Sequence, residues 1–66
     1  MSVRLKEYAK AIEGEIIAEG MDKKTLEIPV LIVKTNRGFH EEILELRYED
    51  GHVLIKVLTE VWVDRR

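Results

Sequence analysis

The spacing of apolar positions changes period once along the chain. Over residues 2 to 19, "SVRLKEYAKAIEGEIIAE", Leu5, Tyr8, Ala9, Ile12 and Ile16 recur at intervals of three and four, which is one narrow apolar stripe on a helix. Ser2 is placed to cap its start and Gly20 to stop it. On such a helix Gly14 falls on the solvent side, at a cost of about 1 kcal/mol relative to alanine. A rival reading ends the helix near Ile12 and runs Glu13 to Glu19 as a strand, with Ile12, Gly14, Ile16 and Ala18 alternating against Glu13, Glu15, Ile17 and Glu19. The continuation of the stripe across the proposed break favours the longer helix.

From Thr25 onward the period is two, and Val, Ile and Leu dominate. Asp50-Gly51 between two such runs is a strong hairpin signal, a two-residue type I′ turn. That turn fixes a register: Glu49 against His52, Tyr48 against Val53, Leu46 against Ile55, Glu45 against Lys56, Leu44 against Val57 and Ile43 against Leu58. The preceding reversal, "TNRGF", suits a three-residue loop flanked by Thr35 and Phe39, with Gly38 as a bulge. It sets Val30 against Leu44, Leu31 against Ile43 and Ile32 against Glu42. Three strands follow, roughly 25 to 35, 39 to 49 and 52 to 64. Pro29 opposes this scheme, because its missing N–H should have joined the ladder and a bulge or kink is expected there. The last strand is long for a flat sheet and is expected to bend near Thr59.

The expected fold is α+β, a single domain over residues 1–66 with an N-terminal helix packed on a three-stranded antiparallel β-meander. The alternative is a short helix plus four strands in a small barrel-like sheet. In the meander, one face collects Val30, Leu44, Leu46, Tyr48, Val53, Ile55 and Val57, with Ile28 beside them, and the helix stripe is its natural lid. The second face carries Glu45, Arg47, Glu49, His52 and Lys56 at one end. At the other it gathers Leu31, Val33, Phe39, Ile43, Leu58 and Trp62. One helix covers one face, so these six residues are expected to form an interface, burying themselves against a second copy in a homodimer or against another protein. The competing expectation is a curled sheet that buries them as a second small core.

Composition narrows the choice. At 66 residues the chain is near the size where a hydrophobic core alone is marginal, and without cysteine it has no disulfide staple. Self-association is one of the remaining routes to stability. Ten Glu against no Gln and one Asn is the bias of thermophile proteins, and also of designed sequences. The net charge of −2 gives no basic field for phosphates. The only basic edge is Arg37 with Arg65 and Arg66, which beside Phe39 and Trp62 supports an alternative role as a small nucleic-acid-associated regulator. The longest apolar run, "IPVLIV", is too short to span a bilayer and no signal-peptide core precedes it, so a cytoplasmic, non-membrane protein is expected.

Candidate chemistry is sparse. Extending the register sets Glu41 opposite Glu60, a pair able to share a proton or bind a cation, although like charges directly opposed are destabilising and a bulge near Thr59 would separate them. His40 and His52 sit far apart in the expected sheet and read as surface imidazoles. Ser2 has no activating partner, and the four glycines are scattered rather than gathered in a phosphate-cradling loop. No catalytic residue, metal ligand or cofactor is expected, and the reading is a non-enzymatic interaction domain.

Overall fold

The computed structural model describes residues 3–24 and 26–62; the expected cap at Ser2 and the basic residues Arg65 and Arg66 lie outside the described residues. The chain is α+β: helix α1 (Val3–Ala11) followed by β1 (Glu15–Met21), β2 (Pro29–Asn36), β3 (His40–Glu49) and β4 (His52–Trp62). The strands form one antiparallel sheet in the order β1-β2-β3-β4, so the four-stranded alternative is the one adopted, as an open sheet.

The helix does not run to Glu19 because it is capped much earlier. The Gly14 amide donates to the Ala9 carbonyl (2.8 Å) and the Glu13 amide to the Lys10 carbonyl (3.0 Å). These are the two bonds of a Schellman motif, with Glu13 in the left-handed position at φ 57°. Gly14 is not on the solvent side: a Cβ built there would overlap Val33 Cγ1, so strand β2 lies flush against this glycine. Ile16, expected in the helix stripe, instead opposes Val33 across the β1–β2 ladder. A glutamate at the left-handed position is strained relative to glycine. Glu13→Gly is therefore expected to stabilise the fold by about 1 kcal/mol, read as a rise in the urea midpoint with unchanged slope.

The Asp50-Gly51 turn forms as expected, both residues at positive φ (52° and 77°), and its register holds from His52 to Val57. The β2–β3 register does not. Leu31 opposes Leu46, Val33 opposes Leu44, and Val30 opposes Arg47 rather than Leu44, a displacement of three residues. An odd displacement moves every side chain of β2 to the other face. The cause is the reversal, which runs through Gly38 and Phe39 and is closed by the Arg37 amide donating to the His40 carbonyl (2.8 Å). Asn36 holds it in place, its Oδ1 accepting from the Gly38 amide (2.8 Å) and its Nδ2 donating to Glu41 Oε1 (3.1 Å). Pro29 causes no bulge, because β2 begins at it, where a missing N–H is tolerated.

The core accordingly contains Leu5, Ala9, Leu31, Val33, Leu44 and Leu46, with Tyr8, Ile12, Tyr48 and Val53 packed around it. The helix lies on β1, β2 and β3. Its Arg4 guanidinium stands 5.9 Å from the Tyr48 ring and its Lys6 pairs with Glu19 at 3.9 Å. The far face of the sheet is held by charge. Arg47 pairs with Asp22 at 2.7 Å, with Glu45 at 3.8 Å and with Glu49 at 3.9 Å, while Lys34 pairs with Glu41 at 4.0 Å. Asp22 also accepts from the Lys24 amide (2.7 Å), which ties the β1–β2 loop to the central strand.

Candidate functional site

Strand β4 is an edge of the sheet, eleven residues long, and the helix leaves it uncovered. Leu54, Ile55, Val57, Leu58, Val61 and Trp62 are each between 44% and 66% exposed. Ile55 and Val57 face the helix side of the sheet, opposite Leu46 and Leu44, yet the helix does not reach over them. Leu54 and Val61, opposite Arg47 and Glu41, face the other way. Both faces of this edge therefore carry exposed apolar side chains. Among the described residues, twelve large hydrophobic side chains are exposed, and half of them lie on β4. Its accessible surface is 5008 Å² for 7.7 kDa, where a compact monomer of that mass exposes about 4300 Å².

The unpaired backbone of β4 has a definite order. In a two-residue hairpin the closing pair, Glu49 and His52, is hydrogen-bonded, and hydrogen-bonded and open pairs then alternate along the ladder. Val53, Ile55 and Val57 are the open positions, so their N–H and C=O groups point outward from the sheet. Such a row is a template for a further strand.

Beyond Val57 the strand carries one extra residue. Leu44 opposes Val57, but Ile43 opposes Thr59, which leaves Leu58 as a bulge. This is the expected bend, one residue earlier than Thr59. It separates Glu41 from Glu60 and places Glu60 opposite Glu42, with His40 opposite Trp62. On β2, Thr35 opposes Glu42. Thr35, Glu42 and Glu60 thus form a row across three strands, next to His40. His40 Nε2 lies 2.8 Å from Glu60 Oε1, shielded from solvent, although the contact lacks the alignment of a hydrogen bond. Trp62 stacks on the imidazole at 4.2 Å and 6°, and Phe39 stacks on Trp62 at 5.8 Å and 19°. The Thr35 hydroxyl is buried and without a partner.

Of the six residues expected to share an exposed face, the structure joins Phe39 and Trp62. Leu31 and Val33 are fully buried beneath the helix, a consequence of the odd shift in β2. Ile43 is half-buried on the far face, and Leu58 is the bulge. Arg37 is exposed at the reversal next to Phe39. Ile55 and Val57, assigned to the core by their alternation, are half-exposed because the capped helix is too short to cover a fourth strand. Among the described residues, no helix is long and apolar enough to cross a membrane. No protein-family model, curated protein or solved structure matches the chain.

Proposed function

We propose that this chain is a non-enzymatic interaction domain that self-associates along β4, two copies pairing these strands antiparallel about a two-fold axis. The single observation that carries the reading is an eleven-residue edge strand with an apolar surface and outward-facing backbone at Val53, Ile55 and Val57. Setting Ile55 opposite its own counterpart joins Val53 to Val57 in both directions, so all three outward positions find partners at once. Shifting the register by two toward the bulge would oppose Lys56 to Lys56, and like charges in that arrangement repel. The pairing makes one eight-stranded sheet and sets Ile55 and Val57 of each copy beside those of the other on the helix side of the sheet. The acidic Glu42 and Glu60 beside the Phe39 and Trp62 rings weigh against the nucleic-acid reading.

Light scattering after gel filtration is expected to give a mass twice 7.7 kDa for the wild type. Ile55→Lys, at a site already half-exposed in the single chain, is expected to give a folded monomer with an unchanged far-UV spectrum. A wild type that stays monomeric at high micromolar concentration would remove the reading, as would an Ile55→Lys variant that remains a dimer.

A further inference from the structure

We propose that His40, Glu42 and Glu60 form a binding site for a divalent transition-metal ion of the zinc type. One ligand atom from each, an imidazole nitrogen and two carboxylate oxygens, lies within 4.8 Å of the others. The residues converge only because of the bulge at Leu58. Without it, side-chain alternation would leave Glu60 beside Glu41 on the far face. Bulges recur where a strand re-aims a side chain at a functional site.

Four features set this cluster apart from an ordinary charged surface. Two carboxylates stand directly opposed, Glu42 against Glu60, an arrangement that costs stability unless a cation sits between them. Among the described residues no lysine or arginine forms a salt bridge with either one, and the contact on Glu60 is the His40 imidazole. Independently, Thr35 is 2% exposed and its hydroxyl has nothing to bond, although it lies in the same row and opposes Glu42 on the same face. A buried hydroxyl without a partner is costly. Water in the shell of a bound ion would satisfy it. Finally, the imidazole plane is fixed by Trp62, itself braced by Phe39, so little ordering remains to be done when the nitrogen takes a ligand.

The donor set selects the ion. Imidazole nitrogen favours zinc and its neighbours over magnesium and calcium, which seek oxygen shells. Three protein donors leave at least one coordination position for water or an external ligand. The site stands on β2, β3 and β4 of one chain and does not depend on the pairing of β4 strands.

Trp62 is the only tryptophan and serves as a reporter in contact with the ligand. Titration of Zn²⁺ into the Ile55→Lys chain, which separates metal binding from association, is expected to give one equivalent per chain. The same titration should change Trp62 emission and raise the melting temperature, with reversal by chelator. Co²⁺ is expected to quench Trp62. Glu42→Gln and Glu60→Gln are each expected to weaken Zn²⁺ binding by at least about tenfold, while Glu41→Gln, on the other face, leaves it unchanged. The proposal is overturned if Zn²⁺ produces neither heat nor a Trp62 response, if both glutamine variants bind as tightly as their parent, or if Mg²⁺ matches Zn²⁺, since that would require no imidazole.

Discussion

Leu46→Ala is expected to cost about 2–5 kcal/mol, while Ile55→Ala, directly across the ladder from it, costs about 1 kcal/mol in the isolated chain. The two residues oppose each other on the same face of the same hairpin, and alternation alone ranks them equally. Their surroundings differ. Leu46 is fully buried beneath Leu5 and Ala9, whereas Ile55 is 48% exposed on the edge the helix does not reach. Removing Leu46 leaves a cavity in a six-residue core; removing Ile55 trims a side chain already half in water. A 66-residue domain has a total stability of about 3–10 kcal/mol, so Leu46→Ala consumes much of it. Urea unfolding at fixed, low protein concentration checks the contrast. Comparable losses for the two variants in a monomeric sample would mean that Ile55 is covered after all.

Gly14→Ala is the second large effect, a destabilisation of about 1–3 kcal/mol. The methyl group would collide with Val33 Cγ1, and Val33 is fully buried and β-branched, so it has no free rotamer into which to swing. The same glycine supplies the amide that closes the helix cap, so the strain falls on the junction that sets how α1 lies on the sheet. A double-mutant cycle gives the sharper test. Val33→Ala removes the colliding atom, so the pair of substitutions is expected to cost less than the sum of the two single losses, with a coupling of about 0.5–3 kcal/mol. Strict additivity would show that the close approach is not the source of the effect.

Part of this was legible from the residues. Val, Ile and Leu at period two, broken by Asp50-Gly51, suffice to specify the β3–β4 hairpin and its register as far as Val57. The helix start is legible as well, since Leu5, Tyr8, Ala9 and Ile12 all turn toward the sheet. The end of the helix was legible only as the rival reading, a break near Ile12 followed by a strand, because its stop signal is a glutamate in the left-handed conformation where glycine is the usual marker. The His40 corner was not legible. It requires counting one extra residue at Leu58, and nothing in "KVLTEVW" distinguishes a bulge from a continuous strand. The available hint was the length of the last strand, which led to the expectation of a bend near Thr59, where a bulge would part Glu41 from Glu60.

The decisive ambiguity lies in "PVLIV". Both parities of β2, Val30 with Ile32 and Leu31 with Val33, are apolar, so binary pattern cannot say which pair faces the core. The sequence by itself determined that a strand lies within roughly residues 25 to 35 and that it pairs with β3; the structure starts it at Pro29. The Asn36-anchored reversal sets the odd offset of its register, and tertiary packing accepts the face this selects, because Gly14 opens the space into which Val33 fits. Local period and turn chemistry act within a few residues and can be read along the chain. The choice between two equally apolar faces depends on what lies above them, and that is settled only when the helix packs down.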